Sequence, residues 1–294
     1  MSVITGKLIV EQLVNGLVLG CMYASIASGL TLIWGTMKML NFAHGEFYMI
    51  GGYFVFFALN LLGIPGVWCL VISVVIVMIL GMLLEKSIIE PLLGKPGWEL
   101  SPLVVTVGAS IAIQNGALKL WGEHIKNLPY YIEGTVELMG VRLAYQRLMI
   151  LFVTAFVMLG FWVYTKKSRF GLGLRAVAQD RDAATLMGID FKRVYTVTFG
   201  ISCAMAALAA ALLSPIFSIN PWMGHAALTK GFIAVVLGGL GSFEGAILAG
   251  VLLGSVESLA VIFLSSEWKD VVSFSIFIIM LTLKPAGLFG SKEW

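Results

Sequence analysis

The sequence LTKGFIAVVLGGLGSFEGAILAGVLLGSVESLAVIFL occupies residues 228–264 and says more about the architecture than any other segment. It is longer than the ~20 residues with which one helix crosses a bilayer, yet too short for two full spans and a loop. Gly238, Gly239 and Gly241 interrupt it near its middle. Because non-helical backbone survives at membrane depth only where protein or water satisfies it, the segment predicts a helix broken at these glycines or a tight pair of short helices.

Further apolar runs lie outside this segment and bring the total to about eight. Of the 294 residues, 59% are hydrophobic and 12% are charged, whereas soluble domains carry about 25% charged residues. So few charges cannot cover a water-facing surface, which argues against a soluble enzyme, and a net charge of +3 argues against nucleic-acid binding. The sequence predicts an all-α polytopic membrane protein with a single transmembrane domain over residues 1–294. The other runs are 12–34, 40–62, 66–84, 102–121, 146–164, 194–217 and 270–289.

The polar segment 165–193 fixes the expected orientation in the membrane. Burying its basic residues at roughly 3 kcal/mol each would be prohibitive, so the segment must be aqueous, and the positive-inside bias predicts a cytoplasmic loop. Counting crossings back from this loop places the N-terminus and residues 122–145 outside. A cytoplasmic C-terminus requires 228–264 to cross twice. The basic residues of the loop are Lys166, Lys167, Arg169, Arg175, Arg181, Lys192 and Arg193.

Polar side chains stand at the start of the second apolar run and inside the fourth. Asn41, His44 and Glu46 belong to the first group, and such groups in a membrane segment usually face a bundle interior or a pathway. The alternative is that Asn41 caps a helix and Glu46 favours its positive N-terminal end. Gln114 and Asn115 are further pathway candidates, with interhelical hydrogen bonds of about 0.6 kcal/mol as the alternative.

Residues 175–187 lack glycine and proline and are rich in alanine, which predicts a short helix that Gly188 ends in a left-handed cap. One side of this helix is expected to dock onto another protein, as amphipathic helices do in a partner's groove. The alternative is a solvated helix on the membrane surface. The residues on the expected docking side are Leu174, Val177, Arg181, Ala184 and Met187.

The sequence contains no phosphate loop of the form G-x-x-x-x-G-K-[ST], no H-E-x-x-H pair and no G-x-S-x-G elbow. An enzymatic function is therefore not expected, and an ATP-driven role needs a partner chain. An ion-coupled transporter that works alone stays an alternative, with Glu46, Glu244 or Glu257 as the coupling acid.

Several strings, in this order, resemble the permease subunits of bacterial branched-chain amino acid ABC importers of the LivH type. The resemblance runs from about residue 12 to residue 290. Asp182, Ala183, Ala184 and Gly188 also resemble the E-A-A-x-x-x-G signature by which such permeases seat on their ATPase, with aspartate in place of the signature's glutamate. The matching strings are NFAHGE at 41–46, TVGASIAIQN at 106–115, the loop from Arg169 to Asp190, GGLGSFEGA at 238–246 and LKPAGLFG at 283–290.

The resemblance implies a multi-pass protein of the bacterial inner membrane that imports branched-chain or other hydrophobic and neutral amino acids by alternating access. Related permeases also carry urea, short amides and aromatic acids. The implied partners are a second homologous permease, two cytoplasmic ATP-binding subunits and a periplasmic substrate-binding protein, which the loop 122–145 would help to dock. No cofactor is implied in this chain, because partner subunits use the ATP. The implied ATPase-coupling residues are Arg175, Gln179, Arg181, Asp182, Ala183, Ala184 and Gly188.

Overall fold

The computed structural model describes residues 2–94, 100–138 and 140–290. A helix or helix pair covers each predicted apolar run, which confirms the all-α polytopic fold. A π-helical turn and a 3-10 turn, Glu85–Ile89 and Glu90–Leu92, extend α3. The helices are α1 (Ser2–Met37), α2 (His44–Leu62), α3 (Gly66–Leu84), α4 (Ser101–Trp121), α5 (Tyr145–Lys167), α6 (Arg169–Gln179), α7 (Arg181–Leu186), α8 (Phe191–Leu213), α9 (Met223–Gly238), α10 (Phe243–Phe263) and α11 (Lys269–Leu283).

The seventh apolar run is a helix pair, α9 and α10, which is broken at the glycines as predicted. Only α9 is short, however, because α10 has 21 residues. Gly239 and Gly241 adopt φ values of 102° and 87°, a region that side chains with a Cβ rarely enter. Ser242 then begins α10 by accepting a hydrogen bond from the Gly245 amide at 3.1 Å. The backbones of Gly238 and Gly245 touch, so the two helices meet tightly at the turn.

Seven of the described helical segments are long and apolar enough to cross a membrane. They correspond to α1, α2, α3 with its two added turns, α4, α5, α8 and α10. The remaining apolar helices are shorter, with 16 residues in α9 and 15 in α11.

Helices α1 and α8 form the centre of the molecule. The α1–α10 contact is made by glycines, and a Cβ on Gly20 would lie 2.7 Å from the Cα of Val251. Small residues let membrane helices approach closely enough for backbone-to-backbone packing. Helix α8 presents an alanine-rich segment, residues 206–211, that is buried throughout and packs against Gly51 of α2, while Cys203 of the same helix packs against Gly81 of α3. Helices α4 and α5 lie at the periphery.

Two hydrogen bonds and an ion pair show which ends of the helices share a side. Lys166, at the end of α5, pairs with Glu244 of α10 at 3.1 Å. The amides of Leu288 and Phe289 donate to the carbonyls of Leu237 and Gly238 at 2.8 and 3.0 Å. The segment after α11 therefore lies on the side of loop 165–193, as two crossings by 228–264 require.

The opposite side carries a two-stranded hairpin, β1 (Thr135–Leu138) and β2 (Val141–Ala144), in antiparallel register with Glu137 opposite Arg142. The preceding loop is tied down where the Lys126 amide donates to the Ile219 carbonyl at 2.9 Å.

Helices α2 and α9 begin beside each other inside the molecule. After α1 ends, residues 38–43 fold back, so that His44 at the start of α2 lies against Gly29 of α1. The backbones of Gly45 and Gly224 then touch. From this contact α2 runs towards the hairpin side and α9 towards loop 165–193.

The single helix predicted over 175–187 is wrong, because the chain breaks at Asp180, which has φ −153° and ψ 110°. The Asp180 side chain accepts hydrogen bonds from the Asp182 and Ala183 amides, both at 2.9 Å, and starts the new helix α7. An aspartate in this position is a strong helix N-cap. The predicted left-handed cap at Gly188 is confirmed by its φ of 85°.

Candidate functional site

A cavity of about 360 Å³ lies where α2 and α9 begin. Its volume falls within the roughly 300–1,000 Å³ of small-molecule sites. Ile111 and Phe274 are 56% and 44% exposed, so the cavity reaches the surface of the chain between α4 and α11. Most of its wall is apolar. The lining residues are Leu30, Leu40, Asn41, Phe42, Val107, Ser110, Ile111, His225, Leu228, Thr229, Phe232, Ile233, Phe274 and Phe277.

Asn41 is the most deeply buried polar side chain of the cavity wall, with 2% of its surface exposed. Its Oδ1 accepts a hydrogen bond from the Ala43 amide at 3.0 Å. Its Nδ2 has no hydrogen-bond partner within the described part of the chain. The next residue, Phe42, is held to α4 because its amide donates to the Thr106 hydroxyl at 3.2 Å.

Glu46 is buried just behind the cavity wall. Its Oε1 accepts a hydrogen bond from the Ser110 hydroxyl at 3.0 Å, and Ser110 lines the cavity. Its Oε2 is unpartnered among the described residues. A serine that donates to a carboxylate keeps its own lone pairs free to accept, so Ser110 presents an acceptor with a carboxylate behind it.

His44 is fully buried but is not among the side chains that line the cavity. Its Nδ1 lies 3.3 Å from the Ser202 hydroxyl, and that hydroxyl donates to the Gly29 carbonyl at 2.8 Å. The ring fills the space that a side chain at 29 would need. The contacts give His44 a packing position at the start of α2.

Gln114 and Asn115 also stand apart from the cavity lining. Gln114 Nε2 donates to the Pro221 carbonyl at 3.5 Å, the outer limit for such a bond. Asn115 is exposed, and its Nδ2 donates to the Ile111 carbonyl of its own helix at 2.8 Å.

Most of the cavity wall could not be predicted from the sequence. Ser110 lies in the quoted TVGASIAIQN string, but its link to Glu46 spans two helices and could not be read from spacing. Phe232, Phe274 and Phe277 look like ordinary core or lipid-facing residues in the sequence. Their shared cavity depends on α9 and α11 packing side by side.

A charged cluster ties α9 to α10 and α11 next to the cavity. Lys230 Nζ lies 2.6 Å from Glu257 Oε1 and 2.8 Å from Asp270 Oδ1. It also donates to the Ser273 hydroxyl at 2.8 Å. Tyr23 donates to Glu257 Oε2 at 2.6 Å, and Ser273 donates to Oε1.

The tip of loop 165–193 exposes apolar side chains. Leu186 and Met187, at the end of α7, are 88% and 83% exposed. Beside them Arg181 and Asp182 line a groove of about 420 Å³. Arg181 packs its guanidinium over the Phe191 ring, 5.4 Å from the centroid. The composition of the loop alone did not single out Leu186.

The residues expected to couple to an ATPase fall into three groups. Arg175 is exposed, but its guanidinium is tied down because it donates to the Thr165 carbonyl at the end of α5. Ala184 is buried, as is Val177, so the expected docking side of the helix is wrong at both residues. Gln179, Asp182, Ala183 and Gly188 are exposed, and Arg181 is half-buried.

The predicted external loop, residues 122–145, and the adjoining Trp121 also contain both packed and exposed side chains. Trp121 stacks on Tyr53 with ring centroids 4.3 Å apart. Tyr131 donates its hydroxyl to the Ala211 carbonyl at 2.8 Å, and burial raises the pKa of this hydroxyl above its usual range. Tyr130 and the acids Glu123, Glu133 and Glu137 are exposed.

The structure is a polytopic helical bundle with a half-open apolar cavity, and exposed apolar side chains lie at the tip of loop 165–193. This arrangement is that of a membrane transport subunit. The sequence profile of the family described as branched-chain amino acid transport system / permease component matches residues 12–281. The chain belongs to this family. It is a transport subunit of an ABC importer and a multi-pass protein of the inner, cytoplasmic membrane.

Individual relatives agree with the profile. The high-affinity branched-chain amino acid transport system permease protein BraD of Pseudomonas aeruginosa is 37% identical, over 96% of both chains. LivH of Escherichia coli (strain K12), with the same description, is 38% identical over 96% of both chains. A probable LivH of Methanocaldococcus jannaschii is 28% identical over 92% of this chain and 88% of its own. A solved structure of PsaBC from Streptococcus pneumoniae with Fab aligns over 94% of this chain and 92% of its own, at TM-score 0.47 and 14% identity, too distant to inform the site.

Proposed function

We propose that this chain is the membrane subunit through which an ATP-driven importer carries branched-chain amino acids into the cytoplasm. The observation that carries the proposal is the cavity at the start of α2 and α9, whose walls are apolar apart from a few polar groups. Such a wall favours an aliphatic side chain, because burying apolar surface contributes about 25 cal/mol per Å². The substrate named for the relatives supports the same class.

ATP hydrolysis is assigned to partner chains, two cytoplasmic ATP-binding subunits. Leu186 and Met187 support this, because contiguous exposed apolar groups mark interaction surfaces and these two lie at the tip of the predicted cytoplasmic loop. Arg175 joins α6 to the end of α5. Because α6 packs on both α5 and α7, a push on α7 would reach the membrane helix α5 through α6.

A second, homologous permease is assigned to the outer face of α4. Gly108, Ala112 and Gly116 follow one another at intervals of four residues, the spacing of small-residue helix contacts in membranes. No atom of the described residues, the helix's own neighbouring backbone aside, lies within 4 Å of a Cβ built on Gly108 or Gly116. A partner at this face would close the cavity mouth between α4 and α11.

The periplasmic binding protein is assigned to the hairpin side. Glu133, Glu137 and Tyr130 are exposed there, and charges at the rim of an interface govern the association rate. Charge reversal at Glu133 and Glu137 should therefore slow binding-protein association, as measured by surface plasmon resonance at two salt concentrations. An unchanged association rate would remove this loop from the docking face.

The main test uses the complex extracted from native membranes in mild detergent. The native chain should bring down an ATP-binding subunit and a second permease, and proteoliposomes should take up leucine only with ATP inside and loaded binding protein outside. Leu186→Asp should lose the ATP-binding subunit. Leu62→Asp is the matched control, because Leu62 is also highly exposed but ends α2 on the opposite side.

Two results would overturn the proposal. One is uptake by the chain alone without ATP, which would favour an ion-coupled carrier. The other is an ATP-binding subunit that stays bound to Leu186→Asp as firmly as to the native chain. The permease pair is tested with Gly116→Leu, which should weaken recovery of the second permease, whereas Gly160→Leu, at an exposed and equally open glycine of α5, should not.

A further inference from the structure

The geometry points to a binding site for the amino acid head group within this chain: we propose that Asn41 Nδ2 donates a hydrogen bond to the substrate carboxylate, with Ser110 accepting from the ammonium group. This inference rests on the proposed function and adds to it a direct role in recognition. The permease would then recognise the ammonium and carboxylate groups of the amino acid directly, in addition to any selection by a binding protein.

The first observation is the state of the Asn41 amide. Its Oδ1 is engaged by the Ala43 amide at 3.0 Å, which assigns the orientation of the group. Its Nδ2 is then the free end. The side chain lines the cavity, but the Nδ2 atom itself is buried, so a carboxylate would reach it through a small shift of the wall. Leaving a buried donor unsatisfied is costly, and a carboxylate in the cavity would satisfy it.

The second observation is independent of that side chain. Both α2 and α9 begin at the cavity, at His44 and Met223, and their first turns touch at Gly45 and Gly224. Helix N-termini carry a positive partial charge. Two of them at one place favour anionic groups. The Glu46 carboxylate already lies in the first turn of α2, and interrupted membrane helices also present their N-termini to substrate carboxylates.

The remaining part of the zwitterion has a matching partner. Ser110 donates to Glu46 Oε1 at 3.0 Å, so its lone pairs are available to an ammonium group, and the Glu46 carboxylate behind it supplies negative charge. The aliphatic side chain of the substrate would then lie among Phe232, Ile233 and Phe277. The three parts of the amino acid would each meet a complementary part of the wall.

The test is leucine binding to the full transporter, reconstituted in nanodiscs without its binding protein, for the native chain and Asn41→Asp. This substitution keeps an oxygen for the Ala43 amide and replaces the donor with a second carboxylate oxygen, which also brings a negative charge. We expect leucine to bind at least about 10-fold more weakly to the variant, because one hydrogen bond to a charged group is lost and the new carboxylate repels that of the substrate. Leucinamide, which lacks the carboxylate, should compete poorly at the native site and better at the variant. Asn60→Asp, at an exposed asparagine near the end of α2, should bind like the native chain.

Three results would overturn the inference. Leucine could bind the native chain and Asn41→Asp with equal affinity, leucinamide could compete as well as leucine at the native site, or the native transporter could fail to bind leucine. ATP-dependent leucine uptake with loaded binding protein, measured on the same preparation, separates the two levels. Normal uptake together with any of these results would refute only the head-group site. Absence of uptake by the native complex would refute the proposed function.

Discussion

Replacing Lys230 with methionine removes the cation that sits between two carboxylates. Its Nζ lies 2.6 Å from Glu257 and 2.8 Å from Asp270. The Glu257 side chain is 1% exposed, whereas that of Asp270 is 73% exposed. The substitution therefore affects one deeply buried carboxylate and one that water can solvate.

The size of the effect follows from this difference. Removing one partner of a buried ion pair costs about 3–5 kcal/mol, because the other charge stays behind uncompensated. The Asp270 pair adds at most ~1 kcal/mol, since solvent screens exposed charges. Tyr23 and Ser273 still donate to Glu257, which places the expected loss near the lower end, about 3 kcal/mol.

The assay is the free energy of unfolding in mixed micelles, from SDS titration followed by circular dichroism. The double variant Lys230→Met/Glu257→Gln leaves no buried unpaired charge, because the remaining Asp270 carboxylate is exposed to solvent, and it keeps an amide oxygen for Tyr23. It should lie within about 1 kcal/mol of the native chain, because neutralising both partners of a buried pair is close to neutral in stability.

Either of two results would refute this reasoning. A stability of Lys230→Met within ~0.5 kcal/mol of the native chain, the range of ordinary surface substitutions, would mean that the cluster contributes nothing. A double variant as unstable as the single one would mean that the loss comes from packing of the lysine stem and not from the charge.

Three further substitutions test separate features. Gly188→Ala should cost about 1–2 kcal/mol through its left-handed backbone alone, seen as faster local hydrogen exchange in α7 without loss of the membrane fold. Gly254→Ala should cost at least about 1–3 kcal/mol in the same SDS titration, because its Cβ would lie 2.6 Å from the Cα of Gly20. Glu244→Gln should change the free energy of unfolding by less than about 1 kcal/mol, since its pair with Lys166 is half-exposed. It should also leave ATP-driven uptake intact. A loss of uptake would instead support Glu244 as a coupling acid.

Much of the fold could be predicted because a bilayer requires long apolar helices whose lengths are visible in the sequence. The break in 228–264 could be predicted from Gly238, Gly239 and Gly241, because glycine accepts the backbone angles of a tight turn. The break at Asp180 could not be predicted in the same way. No glycine or proline marks it, and it depends on a side chain that caps the next helix.

The candidate site was only partly predictable. Asn41 could be singled out because an amide is costly in an apolar segment, and the structure brings it to the cavity wall. His44 and Glu46 carry the same sequence signal but lie behind the wall. Whether a buried polar group faces a cavity or a neighbouring helix depends on how α2 meets α4 and α8, and no local pattern encodes that meeting.

The shortness of α9 has a consequence for how the chain enters the membrane during synthesis. Its 16 residues span about 24 Å at 1.5 Å per residue, less than the ~30 Å hydrocarbon layer. It also carries Lys230, and a lysine at the centre of an inserting helix costs roughly 2.5–3.5 kcal/mol. Alone, α9 is a poor candidate for release from the translocon into lipid. Its charge is neutralised only after Glu257 and Asp270 have emerged, so we expect α9, α10 and α11 to leave the translocon as one unit.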